Sequence, residues 1–225
     1  MNSGKKTARI IGALFLLQFI LGIVVTEVWL GPITFNTNFL TKTAANPNLV
    51  IFCILLNLIL GFLNIVPAVI LYPLFKKYNK SIAIGYIAIC IISFCLTAMD
   101  NLSVSSLLAI SKEYLATTSN DASYFKTLAG VFIAIRWQTH MTVAIVGFFS
   151  YFILSCAFIQ TKLIPRFLLV WALIASVLGM TELVLMFFGV GGGDILFLPY
   201  VLNILLLSVW LIIKGFNVSS ITTDF

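Results

Sequence analysis

The run YFKTLAGVFIAIRWQTHMTVAIVGFFSYFILSCAFI, residues 124–159, decides the fold class of this chain. It is largely apolar and longer than the roughly 20 residues with which a helix crosses a bilayer. Arg136 and His140, the chain's one histidine, interrupt it four residues apart, so they share one helix face. Because ionisable groups are costly at membrane depth, we expect this pair to face a bundle interior or a wet cavity.

The composition extends this conclusion to the whole chain. Of the 225 residues, 61% are hydrophobic and only 9% are charged, whereas a soluble domain carries about 25% charged residues. We therefore expect an integral membrane protein that forms a single transmembrane domain over residues 1–225 and contacts membrane lipids.

The apolar runs predict the number of membrane spans. Six runs separated by polar segments indicate an all-α integral membrane protein, a bundle of six transmembrane helices. Pro67 lies inside the second run and is expected to kink it. The first run follows basic residues, but no small-residue cleavage site ends it, so it is interpreted as an uncleaved span. The spans are predicted at about residues 8–29, 49–75, 81–108, 124–159, 167–188 and 197–213.

The distribution of positive charge predicts the orientation of these spans. With six spans, nine Lys and Arg residues fall on one side of the membrane and three on the other. Since the cytoplasmic side carries the excess of Lys and Arg, both termini are predicted to be cytoplasmic. The nine are Lys5, Lys6, Arg9, Lys76, Lys77, Lys80, Lys162, Arg166 and Lys214, and the three are Lys42, Lys112 and Lys126.

Polar side chains predicted to lie within the membrane define a candidate site. At about 1.5 Å per helical residue, the acids and His140 fall in the outer half of the bilayer, and Arg136 lies one turn further out. One interpretation is a polar chamber that binds a ligand, and another is a buried ion pair of Arg136 with Asp100 or Glu182. A third places Glu27, Asp100 and Arg136 in the interface, and for Glu27 interfacial solvation is favoured. The candidate ligand-binding or relay residues are Arg136, His140, Asp100, Glu182, Asn57 and Asn203.

Several functional classes lack the residues that they require. No basic face with interleaved aromatic residues is present, which argues against nucleic-acid binding. The cysteines show neither a CxxC pair nor a Cys/His cluster, so no metal site and no cofactor are expected. No G-x-S-x-G elbow accompanies His140, so no catalytic residue is assigned and an enzyme is the less favoured class. The cysteines Cys53, Cys90, Cys95 and Cys156 all lie in apolar runs.

Several short motifs follow one another along nearly the whole chain. They are KTAR at 6–9, LYPLFKKYN at 71–79, SKEY at 111–114, DASYF at 121–125, LIPR at 163–166 and VWLIIKGF at 209–216. In this order they resemble a bacterial family labelled domain of unknown function 4386. The resemblance implies a multi-pass protein of the bacterial plasma (inner) membrane with no assigned activity. Similar sequences often carry Glu where this chain has Asn57, and Asn-Glu where it has Asn203-Ile204.

The polar residues support one leading hypothesis and three alternatives. In the leading hypothesis the protein binds a small molecule or lipid in a chamber open to the outer face. Arg136 would hold an anionic group or a carboxylate partner, His140 would titrate or hydrogen-bond, and Asp100 and Glu182 would tune both. The alternatives are a proton-coupled transporter with Asp100, His140 and Glu182 as its relay, a membrane enzyme acting on a lipid with His140 as general base, and a structural partner subunit.

Overall fold

The computed structural model describes residues 3–116, 122–190 and 194–217. These residues are almost entirely helical, and no β-strand occurs among them. The helices are α1 (Ser3–Ile23), α2 (Gly31–Thr34), α3 (Phe39–Ala45), α4 (Pro47–Leu63), α5 (Ile65–Phe75), α6 (Lys80–Ala116), α7 (Ala122–Thr161), α8 (Arg166–Phe187) and α9 (Leu198–Ile213). A π-helical segment, Val24–Leu30, joins α1 to α2, and a 3₁₀ turn, Ile195–Phe197, precedes α9.

The described residues contain six helical stretches that are long and apolar enough to cross a membrane. They confirm the predicted all-α membrane fold class with six spans. The first and third stretches extend beyond the predicted bounds, because the helix continues through Thr34 and through Ala116. The six stretches are Gly4–Thr34, Pro47–Phe75, Lys80–Ala116, Ser123–Thr161, Arg166–Phe187 and Ile195–Ile213.

The second stretch is broken, as expected from Pro67, but the break lies at Asn64. Proline has no N–H, so Pro67 cannot donate to the carbonyl of Leu63, four residues earlier. The side-chain amide of Gln18 donates to this carbonyl instead, with Nε2 3.0 Å from the oxygen. A span needs such a substitute, since lipid offers no hydrogen-bond donor to a freed backbone carbonyl.

The chain divides into two compact units. The first unit comprises Met1–Phe19, Leu63–Ser93 and Ala144–Phe225, and the second comprises Ile20–Phe62 and Phe94–Val143. The long helices α6 and α7 therefore each contribute residues to both units.

The first unit has one continuous hydrophobic core. Its helices α1 and α9 approach closely at Gly12, where a Cβ would lie 2.7 Å from the backbone oxygen of Ser208. Helices packed in lipid use small residues for such close contact, so a larger side chain at this position would push α1 away from α9. The buried core includes Ile11, Leu71, Phe158, Leu169, Leu207 and Leu211.

The second unit has two smaller hydrophobic clusters. One cluster joins the π-helical segment to α4 and α6, and the other joins α3, α6 and α7. The first includes Val25, Leu30, Val50, Cys53 and Val104, and the second includes Leu40, Leu107 and Ala129. These contacts hold in place the segments that carry the polar side chains of the candidate site.

Candidate functional site in the second unit

Arg136 is the largest fully buried side chain among the described residues, with only 1% of its surface exposed. Its Nη1 donates a hydrogen bond to Oγ1 of Thr34. The hydroxyl of Thr34 in turn donates to the carbonyl of Leu30 at 2.8 Å, which leaves its lone pairs free to accept from the guanidinium. The guanidinium carbon also lies 4.3 Å from the ring centroid of Phe35, in cation–π range.

These contacts leave the guanidinium only partly satisfied. Its Nε is buried and has no hydrogen-bond partner among the described residues. Asp100 and Glu27 are near enough to interact with it electrostatically, but neither forms an ion pair or hydrogen bond with it in the part of the chain that the structure describes. The direct Arg136–Asp100 ion pair considered from the sequence is therefore not formed here.

Asp100 is engaged by a neighbouring hydroxyl instead. It is 6% exposed on α6 and accepts a hydrogen bond from Oγ1 of Thr139 at 3.1 Å. The same hydroxyl lies 3.0 Å from the carbonyl of Arg136 and 3.1 Å from that of Ile135. Because a hydroxyl has one proton, Thr139 can donate to only one of these three acceptors at a time. The contact to Asp100 is therefore easily exchanged for a bond within α7.

His140 faces a different carboxylate from those expected. Its Nε2 lies 3.8 Å from Oε1 of Glu27, and the side chains are 24% and 63% exposed, respectively. Oγ1 of Thr26 also reaches Oε1 of Glu27, at 3.2 Å. The imidazole packs edge-on against Phe35, with ring centroids 6.4 Å apart. Phe35 thus contacts both His140 and the guanidinium of Arg136.

Glu27 lies on the π-helical segment, which the sequence analysis did not predict. The N–H of Gly31 bonds to the carbonyl of Thr26, five residues earlier, which is the π-helical pattern. Pro32 follows directly and cannot donate to the carbonyl of Val28, so the regular α-helical ladder is interrupted here. Short π-helical turns within helices are frequent at functional sites.

The chain was compared with protein families, with curated proteins and with solved structures. A family model described as a domain of unknown function, DUF4386, matches residues 10–215. The chain belongs to this family. The resemblance inferred from the short motifs is therefore confirmed, while the family description names no activity. No curated protein and no solved structure shows a significant match to the chain.

Three further residues of this DUF4386 protein were predicted for the site, and none of the contacts with Arg136, Asp100 or His140 described above involves them. Asn57 is buried on α4 of the second unit, 7% exposed. Glu182, 4% exposed on α8, and the fully buried Asn203 on α9 both belong to the first unit. Asn203 accepts a hydrogen bond from the hydroxyl of Tyr151 at 2.6 Å and donates to the carbonyl of Leu168 at 3.0 Å. Both the oxygen and the nitrogen of its amide are hydrogen-bonded, so Asn203 on α9 links this helix to α7 and α8.

Arg136, Asp100 and His140 are thus grouped in the second unit, together with four residues that the sequence analysis did not select. Among the residues that the structure describes, no three His, Cys, Asp or Glu side chains are arranged to hold a metal ion. The depth count along α1 already put Glu27 in the outer half of the membrane, so that signal was available. The four added residues are Glu27, Thr34, Phe35 and Thr139.

Proposed function

We propose that this DUF4386 protein binds a small molecule or lipid with an anionic group, and that Arg136 holds this group. We place the protein in the bacterial plasma membrane with both termini cytoplasmic, and the Arg136 site in the outer half of the bilayer. The nine-to-three distribution of Lys and Arg supports this orientation. The observation that carries the proposal is the buried guanidinium with an unpartnered Nε.

The physical argument starts from the cost of burying a charge. A guanidinium offers five N–H donors, yet Thr34 is the one described hydrogen-bond partner of this group. A buried charge without direct pairing is strongly unfavourable, and ionisable residues inside membrane spans commonly mark binding sites or ion pathways. A phosphate or carboxylate could accept two parallel hydrogen bonds from the guanidinium and offset that cost.

The neighbouring carboxylates suit a site that exchanges its ligand. Asp100 and Glu27 lower the electrostatic cost of Arg136 without occupying its hydrogen-bond donors. An arriving anion would gain the free donors of Arg136 but would be repelled by both carboxylates, which favours reversible binding, while Thr139 and His140 orient Asp100 and Glu27. Phe35 provides an apolar surface beside the anion-binding group.

The test is native mass spectrometry of the gently extracted protein. The wild type is compared with Arg136→Gln and with Lys126→Gln, a matched control that removes one exposed positive charge from the same helix. We expect one discrete added mass that is present in the wild type and in the control and missing from Arg136→Gln, and masses shared by all three proteins are not assigned to this site. Equal retention of the mass in all three proteins, or its absence from the wild type, would contradict the proposal.

A conservative variant protects this test against simple misfolding. Arg136→Lys keeps the positive charge but loses the planar fork that matches phosphate and carboxylate. We expect it to remain folded and to retain the added mass only weakly. Full retention by Arg136→Lys would mean that charge alone, and not two-point recognition, holds the ligand.

A second candidate function is proton-coupled transport, favoured by the His140–Glu27 contact on a π-helical turn. Histidine and acidic side chains are the groups that proton relays in membrane transporters use. The test is uptake of the compound released from the purified protein into proteoliposomes, with and without a pH gradient. Uptake that needs the gradient in the wild type but not in Glu27→Gln supports transport, and gradient-independent wild-type uptake argues against it.

A further inference from the structure

A cavity of about 840 Å³ lies in the first unit, at the ends of three helices. Its lining comes from the start of α1, from the turn between α7 and α8, and from the end of α9 with the residues after it. Four cationic side chains line it, and no carboxylate occurs among its described lining residues. The four are Lys5, Lys162, Arg166 and Lys214.

The walls of this cavity are fixed by backbone contacts and by buried apolar side chains. The N–H of Asn217 donates to the carbonyl of Leu163 at 3.0 Å, which ties the segment after α9 to the α7–α8 turn. Leu163 and Phe216 are 1% and 3% exposed and anchor both segments in the core. Gly215 has φ +75°, a conformation that favours glycine, and a Cβ there would lie 3.3 Å from Cγ of Lys5.

The lining combines basic side chains with apolar ones. Trp210 and Phe216 provide aromatic surface beside the four cations. Helix α8 also begins at this cavity without a side-chain cap, and the N–H of Leu168 in its first turn bonds to the carbonyl of Pro165 at 3.2 Å. The positive charges of these side chains favour an anion over a neutral molecule in the cavity.

We propose that this cavity binds a phosphate group, carried either by an anionic lipid headgroup or by a soluble phosphate compound. The volume falls in the usual range of small-molecule sites. Basic pockets between the ends of membrane helices are suited to phospholipid headgroups, and the aromatic wall provides surface for the adjoining glycerol and acyl carbons. This inference concerns the first unit and does not depend on the role proposed for Arg136.

The test uses the full chain in phosphatidylcholine nanodiscs, into which phosphatidylglycerol is titrated while bound lipid is counted by native mass spectrometry. The site variant is Lys162→Asn with Lys214→Gln, because asparagine tolerates the φ of +56° at position 162. The matched control is Lys76→Gln with Lys80→Gln, which removes two positive charges from the same unit but outside the cavity lining.

We expect the wild type and the control to retain phosphatidylglycerol over phosphatidylcholine. The site variant should lose about thirtyfold in affinity, since each cation near an anionic lipid contributes about fivefold. Lys162→Arg with Lys214→Arg should keep the affinity, which separates a lost charge from a damaged fold. No preference for phosphatidylglycerol or for inorganic phosphate in the wild type, or an equal loss in the control, would overturn the proposal.

Inorganic phosphate distinguishes the two sources of the group. If phosphate at matched ionic strength displaces phosphatidylglycerol and raises the unfolding temperature of the wild type and of the control, but not of the site variant, a soluble phosphate compound is the ligand. If phosphate has no effect, while phosphatidylglycerol binds to the wild type and the control and only weakly to the site variant, the ligand is a lipid headgroup. Both results support the phosphate site.

Discussion

Asn203 in the first unit and Arg136 in the second are both polar side chains buried in membrane spans, with 0% and 1% of their surface exposed. The amide of Asn203 is bonded at both ends, to Tyr151 and to Leu168. The guanidinium of Arg136 keeps a buried Nε without a partner among the described residues. The exposed fraction of a side chain therefore does not distinguish a structural residue from a candidate binding residue. The number of its donors and acceptors that have hydrogen-bond partners does.

The largest expected effect on stability comes from removing the amide of Asn203, which is hydrogen-bonded at both ends. Asn203→Ala should lower the unfolding free energy by about 2 kcal/mol, because it removes two buried hydrogen bonds and leaves a void. The measurement is a dodecyl sulfate titration in mixed micelles, with Tyr151→Phe as the control that removes only one of the bonds. An Asn203→Ala protein as stable as the wild type would show that these bonds hold nothing together.

A smaller effect on stability is expected from Arg136, whose Nε has no hydrogen-bond partner among the described residues. In a double-mutant cycle with Arg136→Gln and Asp100→Asn, we expect a coupling of about 1 kcal/mol, because the two charges interact without direct contact. Breaking a direct buried ion pair would instead cost about 3–5 kcal/mol. A coupling of that size, together with a double variant that restores both stability and cell phenotype, would show that Arg136 and Asp100 form a structural ion pair. The basis of the ligand proposal would then be removed.

A third test concerns Gln18, whose side-chain amide donates a hydrogen bond to the backbone carbonyl of Leu63. Gln18→Leu should lower stability by about 0.6 kcal/mol, the average for a hydrogen bond inside a membrane protein. In a Pro67→Ala background the same change should have no effect, since the new N–H at position 67 can donate to the carbonyl of Leu63. Equal losses in both backgrounds would mean that Gln18 acts through packing and not through this carbonyl.

The spans could be predicted from the sequence because lipid imposes a simple rule on length and polarity. Apolar runs of about 20 residues must form helices there, so all six were found, including the one that carries Arg136 and His140. Counting 1.5 Å rises also put Asp100 and His140 at similar depth, which is why both belong to the predicted set. Depth along a helix is thus readable from sequence spacing.

The partners of these residues could not be predicted, because they depend on rotation about the helix axis and on irregular turns. Thr34 lies beyond the predicted first span of residues 8–29, yet it ends the first membrane stretch and accepts a hydrogen bond from Arg136. Glu27 lies on the irregular π-helical segment, and its contact with His140 was not among the interpretations drawn from the sequence. The break at Asn64 was closer to prediction, since proline acts on the carbonyl four residues earlier.

The His140–Glu27 contact should have the smallest effect on stability and so gives the sharpest separation of folding from function. At 3.8 Å, with the Glu27 side chain 63% exposed, the pair should contribute less than about 0.5 kcal/mol to the unfolding free energy. Glu27→Gln and His140→Gln should therefore unfold at nearly wild-type dodecyl sulfate concentrations. A loss of ligand mass or of gradient-dependent uptake in such stable variants would then be assigned to the site itself. A destabilisation above about 1 kcal/mol in either variant would show instead that the pair fastens the π-helical segment to α7.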